Sequence, residues 1–152
     1  MKNYEINEDT LIIIGEGVGT TRIIEKHQEY TIPKDAYEIM DENCKYYGSS
    51  YNGRLKASKE ILDCSYKLPI IMEESSMLIF FPTKSSLLED CCWINYNSIV
   101  KNEKQGPNTL ITLTNNQEIV LNMSLLSFKN QIYRATRLES IIRKRLIGLK
   151  RE

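Results

Sequence analysis

The chain of 152 residues lacks the features that define several classes of protein. Its longest apolar runs, Leu11–Ile14 and Met77–Phe81, are far shorter than the roughly 20 residues of a membrane-spanning helix. The N-terminal segment MKNYEINEDT contains no apolar stretch as long as that of a signal peptide. The seven glycines and four prolines show no period, which excludes collagen-like and low-complexity chains. We therefore expect a globular, cytoplasmic protein without a membrane partner.

Cysteine and histidine are few, and their spacing does not indicate a metal site or cysteine-based catalysis. No C-x-x-C pair and no spacing typical of a disulfide framework occurs among the cysteines, which are Cys44, Cys64, Cys91 and Cys92. We expect four reduced thiols, no bound metal and no cofactor. His27 is the only histidine and has no catalytic signature around it, so we expect it on a surface strand beside Glu25 and Glu29. The sequence does not indicate an enzyme.

The net charge is zero, with 20 basic and 20 acidic residues, but the charges are unevenly distributed. Residues 1–42 contain four basic and ten acidic side chains, a balance of −6. Residues 43–67 contain five basic and two acidic side chains (+3), and residues 129–152 contain eight and two (+6). A protein with this pattern can present a positive face to a polyanion although its total charge is zero.

The first third of the chain is predicted to contain a hairpin and two helices. Two runs rich in β-branched residues, 10–14 and 20–25, flank a glycine-rich turn. The spacing of those glycines and the strand-like sequence after them differ from a dinucleotide-binding loop. We predict helices over 34–40 and 54–62, separated by a loop over 48–53.

The middle of the chain is predicted to form short antiparallel strands, with Asn115-Asn116 as the two-residue turn of the last hairpin, because Asn tolerates a positive φ. The predicted strands are Ile70–Met72, Met77–Phe81, Cys92–Asn95, Ser98–Lys101, Leu110–Thr114 and Glu118–Leu121. Together with the helices these strands indicate an α+β fold. We expect a single domain over residues 1–152, with two closely packed parts, 1–66 and 67–152, as the alternative.

A long amphipathic C-terminal helix is the clearest predicted element. It begins after Ser124 or Ser127 and ends near Leu149. Its apolar residues form one stripe, at positions 125, 128, 132, 135, 138, 142, 146 and 149. We expect the half up to Leu138 to lie in the core. The second half either packs on a second subunit or lies along the sheet of its own domain.

The segment from Cys44 to Lys59 combines features of a nucleic-acid-binding surface. Three tyrosines alternate with basic side chains, namely Lys45, Arg54, Lys56 and Lys59. The loop of glycine and serine precedes a helix whose first-turn amides would form an anion site for a phosphate. In the alternative, Tyr46 and Tyr47 belong to the core and the charges are a solvated face. The residues alone leave both interpretations open.

This segment, CKYYGSSYNGR, resembles a motif of the competence transcription factor ComK family, in which Gly-Ser-Ser-Tyr-x-Gly-Arg follows a cysteine, a basic residue and two aromatics. Further blocks resemble the family in the same order: Pro69-Ile70, Phe81-Pro82-Thr83 with Ser85-Ser86, Cys92-Trp93-Ile94, and Ser127-Phe128-Lys129-Asn130-Gln131-Ile132-Tyr133-Arg134. The resemblance covers residues 4–145. It departs from the family at the additional Cys91 and at Asn115-Asn116, where Asn-Gly is more usual.

The resemblance implies a transcriptional activator of DNA-uptake genes that binds double-stranded DNA at A/T-tract boxes. It implies binding as a homodimer or higher oligomer, largely through the minor groove, with RNA polymerase and an adaptor–protease system as further partners. The best-known members carry a longer C-terminal tail associated with adaptor-mediated proteolysis. The sequence here ends at Glu152, and the resemblance leaves regulation through such a tail open.

The motif and the positive clusters together give a set of expected DNA-binding residues. They are Lys45, Gly48, Ser49, Ser50, Asn52, Arg54, Lys56, Lys59, Lys84, Arg134 and Arg137. Arg54 is expected to enter the groove, and Lys59 to contact the phosphate backbone. The alternative function is a protein-interaction module of the same fold that binds the transcription or proteolysis machinery without contacting DNA.

Overall fold

The computed structural model describes residues 3–86 and 88–151, with side chains to Leu149. Within these residues, nine strands and three helices follow one another along the chain. The elements of the first half are β1 (Thr10–Gly15), β2 (Thr21–Glu25), β3 (Glu29–Ile32), α1 (Ala36–Tyr46) and α2 (Tyr51–Leu62). Those of the second half are β4 (Ile70–Glu73), β5 (Leu78–Pro82), β6 (Cys92–Asn95), β7 (Ile99–Gln105), β8 (Asn108–Leu113), β9 (Glu118–Leu121) and α3 (Leu125–Arg151).

The strands form two antiparallel sheets, which confirms the predicted α+β class. The larger sheet has six strands in the order β3-β2-β1-β6-β5-β4, and the smaller has three in the order β7-β8-β9. The pairing of β1 with β6 places Ile13 opposite Trp93. This pairing joins strands from residues 1–66 and from residues 67–152 in one sheet.

The larger sheet buries both of its faces, and each face has its own layer of helices. On one face α1 packs through Ile39, Met40 and Cys44. On the other face lie α3, through Phe128, and the smaller sheet, through Ile111. Because both faces are covered, its central strands read as continuous hydrophobic runs rather than as an alternating pattern.

Most predicted elements are present, and the differences lie at short segments. Strand β3 was not predicted, and His27 lies exposed in the turn between β2 and β3 rather than on a strand. The predicted loop over 48–53 is also wrong at its end, because α2 begins at Tyr51. Glycine suits position 53 in this first turn, since a Cβ there would lie 3.0 Å from Ser49 Oγ. The segment therefore resembles a loop in composition while forming a helix.

Helix α3 begins after Ser124, whose Oγ accepts the amide of Ser127 at 3.1 Å and serves as the N-cap. The helix is buried through Leu138, as predicted, and Ile142 still packs against the core. Beyond Ile142, Leu146 is half-buried, and the last apolar side chains leave the body of the domain. Ile147 is 50% exposed and Leu149 is 68% exposed.

Candidate nucleic-acid interface

The N-terminus of α2, expected to hold a phosphate, already has partners for its amides. Ser50 Oγ accepts a hydrogen bond from the backbone amide of Gly53 at 2.9 Å. Asp41 Oδ1 accepts one from the backbone amide of Tyr51 at 3.1 Å. Hydrogen bonds from Lys45 and from the Tyr51 amide lower the pKa of the Asp41 carboxyl from its ordinary value. A carboxylate and a capping hydroxyl therefore complete this turn, and a phosphate would have to compete with them.

Arg54 is held between α2 and the turn that joins β4 to β5. Its Nη1 donates to Glu74 Oε1 at 2.6 Å, and its side chain is only 14% exposed. Its Nε is buried without a hydrogen-bond partner among the described residues. This arrangement gives Arg54 a structural contact and places it apart from the exposed lysines of α2.

The exposed lysines Lys56 and Lys59 lie on the opposite flank of α2 from Arg54. They line an open cavity of about 670 Å³ that also includes Tyr66. Glu60 and Asp63 belong to the same cavity, so its charge is mixed. Asn52 is exposed on this side of α2, one turn before Lys56. This cavity brings together two residues of the predicted set, Lys56 and Lys59, with residues outside that set, among them Tyr66.

Tyr66, which the sequence did not single out, connects the lysines of α2 with α3. Its ring is 63% exposed, and the Arg134 guanidinium carbon lies 5.6 Å from the ring centroid. Arg134 also donates to the carbonyl of Tyr66 at 3.2 Å and to Gln131 Oε1 at 2.9 Å. Lys67 Nζ lies 5.7 Å from the same centroid. The only sequence signal for Tyr66 was its place within the positive segment 43–67.

Gln131 of α3 links this helix to the segment that contains Tyr66 and Lys67. Its Nε2 donates to the carbonyl of Lys67 at 2.9 Å and to that of Pro82 at 2.7 Å. The side chain is buried, so these hydrogen bonds are shielded from water. We call the resulting group the α2–α3 surface; it consists of Lys56, Lys59, Tyr66, Lys67 and Arg134.

The outer face of α3 continues the positive charge. Lys129, Tyr133 and Arg137 follow one another at intervals of four residues, and all three are exposed. Arg137 forms no ion pair with any described residue. Two predicted cations elsewhere are neutralised: Lys45 pairs with Asp41 at 3.0 Å, and Lys84 pairs with Asp90. Of the predicted set, Lys56, Lys59, Arg134 and Arg137 are therefore the cations that come together.

The charge gradient of the sequence becomes a separation in space. Helix α1, from the acidic segment, covers one face of the large sheet, and α3, from the basic segment, covers the other. The acidic residues of α1 are Glu38, Asp41 and Glu42. The molecule is thus neutral in total but has a basic side built on α2 and α3.

Comparison with known proteins gives the class and then the family. The chain is similar to a transcription factor: it is 30% identical over 150 residues to the competence transcription factor of Bacillus subtilis (strain 168), covering 96% of this chain and 78% of that protein. The family described as ComK protein matches residues 1–147. The chain therefore belongs to the ComK family, which confirms the resemblance found in the sequence.

Two further findings concern the structure itself. No solved structure matches the chain. None of the helices in the described part of the chain is long and apolar enough to cross a membrane.

Proposed function

We propose that this protein is a transcriptional activator of competence genes that binds double-stranded DNA at A/T-tract boxes. The observation that carries the proposal is the α2–α3 surface, where lysine and arginine side chains surround the exposed Tyr66. Membership of the ComK family gives the biological class. RNA polymerase and an adaptor–protease system are further partners in this proposal.

The chemistry of the surface suits the DNA backbone. Lys56, Lys59 and Arg137 are exposed and form no ion pair with a described residue, so phosphate contact does not first require breaking one. Each phosphate contact releases condensed counterions, which makes binding strongly dependent on salt. The uneven charge along the chain, acidic in residues 1–42 and basic in residues 129–152, would turn the basic side of the molecule towards DNA as the two approach.

The proposal also includes self-association through the end of α3. The helix continues past the core, and Ile147 and Leu149 remain exposed beside Lys144 and Arg145. Burying large apolar side chains against a second copy would stabilise a dimer by about 1.5–3 kcal/mol for each one fully covered. A symmetric dimer would present two identical surfaces to two boxes.

Binding to three duplexes over a range of salt concentrations tests the proposal. We expect tight binding to an A/T-box duplex and weak binding to one with G·C substitutions. We also expect retained binding when A·T pairs are replaced by inosine·cytosine pairs, because these keep the minor-groove pattern of A·T and change the major groove. Fluorescence anisotropy gives the affinity of each duplex.

Matched variants locate the surface. Lys59→Ala should reduce the affinity for all duplexes and lower the salt slope by about one unit. Lys26→Ala removes a lysine that is also exposed, in the turn between β2 and β3, and it should have no effect. A shallow salt slope with no preference among duplexes would contradict DNA binding and support the protein-interaction module.

A further inference from the structure

Recognition through an undistorted minor groove favours an element thinner than a helix. The minor groove of B-DNA is about 6 Å wide, whereas an α-helix with its side chains is about 10–12 Å across. The α2–α3 surface is built from helix faces and a connecting segment, so it can follow the backbone but not enter an A-tract groove. An exposed hairpin tip, with two strands and a short turn, is narrow enough to reach base edges from outside.

The hairpin turns of the described chain differ in charge. The β1–β2 turn carries Glu16, the β4–β5 turn carries Glu73 and Glu74, and the β2–β3 turn places Lys26 between Glu25 and Glu29. The β8–β9 turn, Thr114–Gln117, is uncharged and is followed by Glu118. The turn between β7 and β8 consists of Gly106 and Pro107; Lys104 lies two residues before it, and no acid lies within residues 104–108. Glu103 precedes Lys104 on β7, but successive side chains of a strand point to opposite faces, so Glu103 and Lys104 lie on opposite faces of the hairpin.

The tip of the β7–β8 hairpin, residues 104–108, has a fixed backbone. Gln105 pairs with Asn108, which leaves Gly106 and Pro107 as a two-residue turn. Gly106 has φ +60°, and proline fixes the next φ near −65°, the pattern of a type II′ turn. A turn held in this way loses little conformational entropy when it is inserted into a groove.

The side chains of the tip are free to bind. Residues 100–107 are all exposed, and neither Lys104 nor Gln105 forms a side-chain hydrogen bond or ion pair with any described residue. The base of the hairpin is anchored, since Ile111 and Leu113 are buried in the same core layer as Phe128 of α3. The tip therefore projects from the side of the large sheet that also carries α3.

The chemistry of the tip matches A·T pairs. In the minor groove an A·T pair offers only acceptors, adenine N3 and thymine O2, whereas a G·C pair adds a donor amino group. The Lys104 ammonium can only donate, and the Gln105 amide can also donate. Pro107 at the end of the turn supplies the small apolar wedge that minor-groove proteins place between base steps.

We propose that the β7–β8 hairpin tip enters the minor groove and reads A·T against G·C, while the α2–α3 surface holds the phosphate backbone. This inference rests on the proposed function, because it assumes that the protein binds A/T-rich duplexes. Lys101 lies further back on β7, on the face of the strand that carries Gln105.

The variant Lys104→Ala/Gln105→Ala tests the inference against Lys59→Ala and Lys26→Ala. We expect the tip variant to lower the ratio of A/T to G·C affinity about tenfold or more while binding to the G·C duplex changes little. Lys59→Ala should lower both affinities and keep their ratio. Both tip side chains are exposed, and an unchanged thermal melt confirms that the variant is folded.

The outcomes separate this inference from the proposed function. If the wild type prefers the A/T and inosine·cytosine duplexes and the tip variant keeps that preference, the tip is not the reader and only this inference fails. If the wild type shows no preference, the proposed function itself fails. If the tip variant changes the sedimentation of the protein without DNA, the exposed edge of β7 is a protein interface, and the inference is overturned.

Discussion

At the scale of single residues, the cations of this protein differ in whether an acid already neutralises them. Arg54, Lys45 and Lys84 each face a carboxylate within the domain. Lys56 and Lys59 have no such partner among the described residues. A cation that must leave a carboxylate gains less from a phosphate than one that exchanges only water and counterions. The first group is therefore expected to contribute more to folding, and the second to binding.

Arg54→Ala tests this division. We expect the variant to lower the free energy of unfolding by about 1 kcal/mol, because it removes the contact between α2 and Glu74, and to keep the A/T preference. Lys56→Ala, on the exposed flank of the same helix, should show the reverse, with normal stability and weaker DNA binding. Denaturant unfolding and anisotropy measure the two quantities. If Arg54→Ala has normal stability and loses the A/T preference, Arg54 contacts the DNA groove, as expected from the sequence, and the division is wrong.

Ser50→Ala tests the role of the serine loop. As the N-cap of α2, Ser50 is expected to contribute about 1 kcal/mol to stability, and its loss should lower Tm without a specific loss of binding. Ser49→Ala is the matched control, because Ser49 makes no side-chain hydrogen bond with a described residue. A Ser50→Ala protein with normal Tm and weakened DNA binding would instead support a phosphate contact.

The hydrogen bonds to Asp41 predict a dependence of stability on pH. The pKa of this carboxyl is lower in the folded protein than its ordinary value of 3.8. The unfolded state therefore binds a proton more readily, and the stabilisation is present above about pH 4 and lost as the pH falls below it. Asp41→Asn should have a lower Tm than wild type at pH 7, and the difference should shrink at pH 3. A difference that is constant with pH would exclude this linkage.

At the scale of elements, α3 serves two regions of different burial. Phe128 and Leu138 fix its first half in the core, while Ile147 and Leu149 extend beyond it. Ile142 belongs to the core cluster, so a charged residue there would disturb folding as well as any interface. The exposed end of the helix therefore gives the cleaner test of self-association.

Ile147→Asp/Leu149→Asp is expected to produce a folded monomer that binds paired boxes without cooperativity. Analytical ultracentrifugation measures the oligomeric state, and circular dichroism measures folding. Ile142→Asp is the comparison variant, and it should lower Tm. A dimer that survives Ile147→Asp/Leu149→Asp would place the interface elsewhere. A variant that unfolds would show that the end of α3 packs on its own domain.

At the scale of the whole molecule, the six-stranded sheet couples the two halves of the chain. Strands β1–β3 and β4–β6 meet where β1 pairs with β6, and Trp93 of β6 contacts Tyr51 of α2, with ring centroids 6.0 Å apart. Separating the halves would expose both layers of the core. Because the two halves bury these side chains together, we expect them to unfold in one cooperative transition.

We expect residues 1–152 to unfold as a single unit. Fluorescence of Trp93, the only tryptophan, reports on the α1 side of the sheet, and far-ultraviolet circular dichroism reports largely on α3. The two melting curves should coincide. Two separate transitions would show that residues 1–66 and 67–152 are distinct folding units.

The sequence by itself determined the elements whose signals are local. The period of apolar residues in α3 and the β-branched runs around the glycine turn depend on neighbours in the chain, and both are present in the structure. The last hairpin is present as well, but its connection spans Thr114–Gln117 rather than the two residues Asn115-Asn116, and only Asn116 has a positive φ. The motif around Gly48 to Arg54 was likewise sufficient to indicate the family, because order and spacing carry that information without a structure.

Only the tertiary structure decided which charged residues are free and which surface they form. Glu74 neutralises Arg54 from 20 residues away, and Arg134 meets Tyr66 across 68 residues. Partners this distant are set by how helices and strands pack against the large sheet, and periodicity does not report such contacts. Lys104 at the tip of β7–β8 is absent from the residues expected from the sequence for the same reason: the role that we propose for it depends on the projection of a hairpin rather than on a motif.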